Sequence, residues 1–381
     1  MKAESDDDTI DRALAKLIAS GGEVSTALSL SSPEQVLARA RYHGVLPLIA
    51  ACVDESNAEL PVWLVDAARV AMRAEVAIDL ARRPMVVAAI EALDRAKTAP
   101  LVLKGEALAH NHYSAPWQRP RADTDLLVAP DASPAAEAAL VALGYRRGLR
   151  LPGQWVATQW PLVRQGAGGL SHAIDLHWRI NNSAVLAGIV THAELAASAI
   201  ALPSLGPAAR APDAIHALLI ACLHRVGSEH APYTVDGVAR VGGDRLIWLA
   251  DIDRLVRGLD ADQRAAFVRL AQARGAGRLC AAGIAAAAAA FATPGALELA
   301  RDLADAPYGS TVDRYLRAGP LGRDWLDFCA LPDVRARLAF LRETLWPDAA
   351  YLRAREPGRD DASMLRLRLS RIIRGLARRL R

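Results

Sequence analysis

"RADTDLLVAP", residues 121–130, sets two aspartates, Asp123 and Asp125, two positions apart at the head of an apolar run. The run reads as a strand. Side chains alternate faces along a strand, so both carboxylates point the same way. Side by side, two like charges raise each other's pKa, and burial adds to the cost. A bound cation would remove the difficulty. Two solvated aspartates at a strand end would avoid it, and for an isolated D-x-D that is the commoner case. The choice turns on what else the chain brings to the same place.

A third carboxylate comes from "HAIDLHW", residues 172–178. With "WPLVRQ" and the glycine-rich "GAGG" before it, this stretch reads as the second strand of a hairpin. Alternation puts Ile174, Leu176 and Trp178 on one face, and Asp175 and His177 on the other. Three carboxylates around one point are what a pair of Mg²⁺ ions requires for in-line phosphoryl displacement. Upstream, "LVLKGEALA" reads as strand, Lys104-Gly105, helix. Backbone N–H groups at such a helix start face an anion, and Lys104 adds a point charge. A plain strand-to-helix turn with a solvated lysine reads equally well. Only four of the 46 basic residues are lysine, however, so a lysine inside this chain carries some information.

The pattern around these motifs is α+β: a small mixed-sheet core flanked by N- and C-terminal helical regions. Residues 1–95 read as helices. They include a start at Ser32-Pro33-Glu34 and a long apolar pattern interrupted or kinked at Pro84. Residues 96–183 alternate strand and helix. One of those helices has Ser133 as its cap, Pro134 in the first turn and Gly144 past the end. Residues 184–362 are helical again, with proline-rich joints. Residues 363–381 form a tail with seven arginines and no acid. The net charge is +4, so without the tail the body is mildly acidic. At 381 residues and 52% hydrophobic, the chain can bury a sizeable core. Four scattered cysteines argue against a disulfide framework or zinc knuckle, and the acidic N-terminus lacks a signal core. A cytoplasmic protein is expected. "LCAAGIAAAAAAFATPGALE" reads as a buried helix and its turn, not a membrane span.

"LKGEALA", "RPRADTDLLV" and "IDLHW", in that order, resemble the nucleotidyltransferases of the DNA polymerase β superfamily. The resemblance is greatest to a bacterial group within it, usually labelled uncharacterised nucleotidyltransferases. It extends to "ARYHGVLPLIA" and "RLIWLADIDRL" and covers roughly residues 35–260. It implies a metal-dependent enzyme that moves a nucleoside monophosphate from an NTP, ATP being expected, to a hydroxyl-bearing acceptor, with release of pyrophosphate. Asp123, Asp125 and Asp175 would hold two Mg²⁺ ions (Mn²⁺ being an alternative), with Asp175 also activating the acceptor. Lys104 and Gly105 would contact the triphosphate; read from their positions alone, Arg121 is a nucleotide-phosphate ligand, a surface charge or a brace for the carboxylates, and His177 touches the nucleotide, orients a carboxylate or fills the hairpin. One departure stands out. The superfamily turn is usually Gly-Ser or Gly-Gly, whereas Glu106 follows Gly105 here. A carboxylate beside a triphosphate is unfavourable unless it points into the helix or meets an arginine. The alternative is a nucleotide-binding or scaffold protein of the same fold that does no chemistry. The acidic body argues against a nucleic-acid substrate. The acceptor, whether small molecule, sugar, peptide or protein, is not written in these motifs.

Other residues have plainer readings. Arg119 is a surface charge, a phosphate ligand or a brace for a carboxylate. Asp251 and Asp253 face the cleft, are solvated or brace a helix, the last two being the commoner roles. His216, His224 and His230 are structural, and Trp63, Trp248 and Trp325 belong to the core. In the tail, Leu365, Leu369, Ile372, Ile373, Leu376 and Leu380 recur at helical spacing, with arginine on the remaining face. This basic amphipathic helix could serve an anionic membrane or nucleic acid. Docking of the apolar stripe on the protein, with the arginines in water, is the preferred reading.

Overall fold

Strand alternation organises the structure. The computed structural model describes all residues except 1–5, 23–27, 29, 57–59, 231–232, 236, 306–307, 356–362 and 380–381. Its main sheet contains β1 (Leu101–Val102), β2 (Asp123–Leu127), β3 (Arg146–Arg147), β4 (Gln159–Gln165) and β5 (Ser171–His177), in the order β1-β2-β5-β4-β3. Only β2 and β5 run parallel; the other pairs are antiparallel. This is the expected mixed sheet in a largely helical α+β chain.

One face of the sheet carries Leu126, Trp160, Leu162, Ile174 and Leu176. These pack with Val86, Ile90 and Leu93 of a long helix and with Leu140 of the helix after β2. The helices up to that point are α1 (Asp6–Ala19), α2 (Pro33–His43), α3 (Leu46–Ser56), α4 (Val62–Arg95), α5 (Lys104–Asn111) and α6 (Ser133–Ala142). Ser32 caps α2, accepting from the Gln35 N–H, and Gly44 ends it in a left-handed turn (φ 69°). One local expectation is narrowed and one is corrected. The helix α4 runs through Pro84 uninterrupted. Burial of Leu64 and Ala68 at one end and of Val86, Ile90 and Leu93 at the other offsets the missing hydrogen bond. Ser133 is not a cap. A single 3₁₀ turn at Pro130–Ala132 delivers it already helical, and its hydroxyl donates back to the Pro130 carbonyl at 2.8 Å.

After β5 come α7 (Ala184–Ala187), α8 (His192–Ala197), α9 (Ala214–His230), α10 (Leu246–Gly258), α11 (Ala261–Ala273), α12 (Gly277–Phe291) and α13 (Ala296–Ala304). Then follow α14 (Thr311–Arg317), α15 (Pro320–Ala330), α16 (Val334–Leu345), α17 (Ala349–Arg355) and α18 (Met364–Arg379). Two small ladders interrupt this helical stretch where none was expected. They are β6 (Ile200–Ala201) with β7 (Arg210–Ala211), and β8 (Tyr233–Val235) with β9 (Val238–Arg240). Such short strands leave no readable alternation. The alanine-rich α12 is buried, as its composition implies. Among the described residues, no single helix is long and apolar enough to cross a membrane.

The N-terminal helices share one core with the later ones: Leu14, Leu48 and Ile49 cluster with Leu219, Ile252 and Ile284. Leu101, Leu103, Leu108 and Leu127 join the same cluster, so the second face of the sheet rests on it at one end. A buried ion pair ties the layers together. Arg119, in the loop before β2, donates to both carboxylate oxygens of Asp251 on α10 at 2.8 Å, and the Tyr113 hydroxyl donates to the same group at 2.7 Å. Asp251 is thus a buried brace, not a solvated residue. Asp253 is likewise buried, accepting from Thr293 and Arg257. Trp248 is in the core, but Trp325 is exposed and stacks on Phe328. Removing one partner of a buried pair strands the other charge. Asp251→Ala should therefore cost about 3–5 kcal/mol, read as a fall in Tm and in the denaturant midpoint.

Candidate active site

The pairing of β2 with β5 brings the acids together. The two strands are in parallel register with Asp125 opposite Asp175, Asp123 opposite Ala173, and Leu127 opposite His177. Register partners share a face, so Asp123, Asp125, Asp175 and His177 all project from the side of the sheet away from Leu126 and Ile174. Ligand atoms of Asp125, Asp175 and His177 lie within 4.8 Å of one another. Gln159 of β4, on the same face, donates its amide to Asp175. The hairpin register alone places Gln159 there, and counting along the hairpin would have found it.

Lys104 is nearer to the acids than a phosphate-binding turn alone requires. It begins α5 in a left-handed conformation, φ 47°, which costs a non-glycine residue on the order of 1–3 kcal/mol. Its Nζ donates to Asp125 Oδ1 at 2.7 Å, and His177 Nε2 donates to the same oxygen at 2.7 Å. Burial opposes ionisation of Asp125, but the Lys104 ammonium and the His177 bond outweigh it and hold the carboxyl well below its usual range. Lys104 is itself raised: burial works against its charge, and attraction to Asp125, then to Asp123 and Asp175, prevails. Asp175 is pushed up by burial and by the Asp125 charge. Asp123 accepts no hydrogen bond from any described residue. Burial, then the charges on Asp125 and Asp175, push it up to about 7. The cluster therefore holds more negative charge than the protein's own cations neutralise.

Arg121 sits elsewhere. Its guanidinium donates to Glu106 at 2.6 Å and to Asp79 of α4 at 2.5 Å, all three side chains being nearly inaccessible. His110 lies 3.2 Å from Glu106. The departure at Glu106 is thus accommodated in both of the ways open to it: the side chain is buried and meets an arginine. Burial opposes its charge, but His110 and Arg121 bring its pKa down to about 2. Asp79, Glu106 and His110 also have ligand atoms within 4.8 Å of one another, yet the Arg121 guanidinium already supplies their positive charge. A Cβ at Gly105 would meet Arg119 and Arg121 at 3.4 Å, ordinary contact, so this glycine lies against the arginine pair without strain.

Two neighbours had no sequence signal. Arg82, buried on α4, contributes charge near Asp123 and donates to the Arg121 carbonyl at 2.7 Å. His224, on α9, is held neutral at about 4 by burial and by Lys104. It lines a narrow cleft together with Lys104, Leu108, Ile220 and Trp248. The cleft opens beside the acids, between α5, α9 and α10.

A family model described as uncharacterised nucleotidyltransferase matches residues 30–292, more than two thirds of the chain. No curated protein and no solved structure matches it.

The raised Asp123 carboxyl has a pH signature. Its unfolded value is 3.8 and its folded value about 7, so the folded protein holds the extra proton between them. The associated stability is complete below the lower value and is lost as pH rises through the upper one. Asp123→Asn should therefore raise the Tm of the metal-free protein, by more near about pH 8 than near about pH 5, and change it little only below the lower value. Added Mg²⁺ should raise the wild-type Tm more at the higher pH, because at the lower one it competes with a proton. Differential scanning fluorimetry across the range reads both effects.

Proposed function

The chain belongs to the uncharacterised nucleotidyltransferase family, and from that premise we propose that it is a Mg²⁺-dependent enzyme of the DNA polymerase β type. It transfers a nucleoside monophosphate from an NTP, with ATP the expected donor, to an acceptor hydroxyl and releases pyrophosphate. The observation that carries this reading is the in-register pairing of Asp125 with Asp175, with Asp123 on the same face.

The donor set fits a hard divalent cation. It consists of carboxylate oxygens, and the unmet negative charge at Asp123 is what such an ion would neutralise. Asp123, Asp125 and Asp175 would hold the ions, which when bound supply charge stabilisation at the attacking and leaving oxygens. The chain's own residues do the rest. Asp175, the more basic of the in-register pair, is placed to take the proton of the acceptor hydroxyl. His177 holds Asp125 in position. Lys104 is tethered to Asp125 and reaches the start of α5, where the first-turn N–H groups lack helical partners. It can pass from the carboxylate to a phosphate oxygen without leaving the site. The narrow cleft beside Lys104 is walled by Leu108, Ile220 and Trp248, so it would have to widen to admit an apolar part of a substrate. The non-catalytic alternative drew its support from Glu106, and that carboxylate is taken up by Arg121 and His110.

Binding of a non-hydrolysable NTP with Mg²⁺, followed by a co-crystal structure, tests the assignment. Phosphates lodged away from Asp123 and Asp125 would overturn it. With an acceptor in hand, Asp125→Asn and Asp175→Asn should each abolish pyrophosphate release while circular dichroism stays native. Lys104→Ala should weaken NTP binding by about 1.5–3 kcal/mol, the range for a hydrogen bond to a charged group, and leave nucleoside binding almost unchanged. Calorimetry on the two ligands separates these outcomes.

A further inference from the structure

Apolar exposure is concentrated in one part of this chain. Ten of the twenty large apolar side chains that are exposed among the described residues fall between positions 321 and 373. They are ordered along helices. On α16, Val334, Leu338, Leu341 and Leu345 recur at helical spacing on one face, with Val334 67% and Leu338 62% exposed. On α18, Leu365, Leu369 and Ile373 do the same, with Ile373 64% exposed. Trp325 on α15 and Trp346 at the end of α16 are also exposed.

The tail contradicts its expected docking mode. The stripe anticipated to pack on the body is the one left in solvent at Leu365, Leu369 and Ile373. Ile372 is half-buried, and Leu376 and Leu380 lie outside the residues whose side chains are described. The helix α18 docks through its other face: Leu367 is buried, Arg368 lies over the Trp346 ring at 4.6 Å, and Arg371 donates to the Thr344 carbonyl of α16. Arginine stacks on aromatic faces and covers apolar surface with its stem, so this packing mode is open to it.

Charge selects the occupant. The lone acid within α16, Glu343, turns inward and accepts the backbone N–H groups of Gln154, Trp155 and Val156, all at 2.9 Å. The exposed charges on α16 and α18 are then arginines, among them Arg335, Arg342, Arg366 and Arg374. The final 19 residues add no acid at all. A second copy of the same surface would bring these arginines against one another. An anionic bilayer would instead take the leucines and tryptophans into its headgroup boundary and the arginines onto its phosphates. We propose that α15, α16 and α18 form a face that binds reversibly to anionic membrane surfaces, setting the nucleotidyltransferase site beside a lipid bilayer without crossing it.

The test uses the full-length protein and vesicles of phosphatidylcholine, with and without phosphatidylglycerol. Co-sedimentation should require the anionic lipid and fall as salt is raised. Leu338→Glu combined with Leu369→Glu should weaken vesicle binding by about tenfold or more. Both positions are exposed, so Tm and NTP binding should be unaffected. Failure to bind anionic vesicles at low salt would overturn the proposal, as would equal binding by the double variant. So would conversion of a dimer to a monomer by the double variant in light scattering, because a second copy would then be what covers the face. Binding to RNA that exceeds binding to vesicles at matched salt would also overturn it.

Discussion

Three carboxylates gathered on one face of two parallel strands form the constraint that the rest of the structure must accommodate. Without compensation, like charges at this spacing in a partly buried setting would push the strands apart or stay protonated. The protein supplies part of the compensation itself. Lys104 and His177 both donate to Asp125, and Gln159 donates to Asp175. No described residue donates to the Asp123 carboxylate. It is the acid held up to about 7, and Asp175 is raised as well, so the residual imbalance falls on these two acids. On the proposed reading, a cation arriving with substrate would meet one ionised carboxylate, Asp125, and one, Asp123, that burial and its neighbours hold up to about 7.

Around this cluster lies a second set of buried charges whose role is to hold it in place. Arg121 is spent on Glu106 and Asp79, and Arg119 on Asp251. The first pair fixes α5, and with it Lys104, against β2 and α4. The second fixes the loop preceding β2 against α10. Buried pairs of this kind seldom add net stability over well-packed apolar residues, but breaking one is costly. Their value here is positional. They hold the segment that leads into the short β2 strand, and β2 carries two of the three acids. The two arginines of the "RPR" segment thus act on the site through carboxylates of other elements.

Much of the site was legible because strands have period two. Given that 123–127 and 171–177 are strands, the shared face of Asp123 with Asp125, and of Asp175 with His177, follows from counting. That β2 and β5 are neighbours in register does not follow from counting, because pairing is set by tertiary packing. Ion pairs were less legible still. Arg121 meets Asp79 from 42 residues away in sequence, and Asp251 meets Arg119 from 132 away. Nothing local marks such partners. The Ser133 cap failed because the preceding 3₁₀ turn, not the hydroxyl, sets where that helix begins.

The tail shows where periodicity misleads. Helical spacing identified the leucine stripe of α18 correctly as a face, but spacing does not say which face a neighbour will take. The usual assumption is that the more apolar face turns inward. Here the aromatic rings at the end of α16 and on α17 offer arginine a surface: Arg368 lies over Trp346, and Arg371 lies near Tyr351. Leu367, between the arginines, is the residue buried. Once that face is used, the leucines at 365 and 369 and the isoleucine at 373 have nowhere left to go but outward. Because Glu343 secures α16 to the loop preceding β4, this outward surface is mechanically continuous with the sheet that carries Asp175.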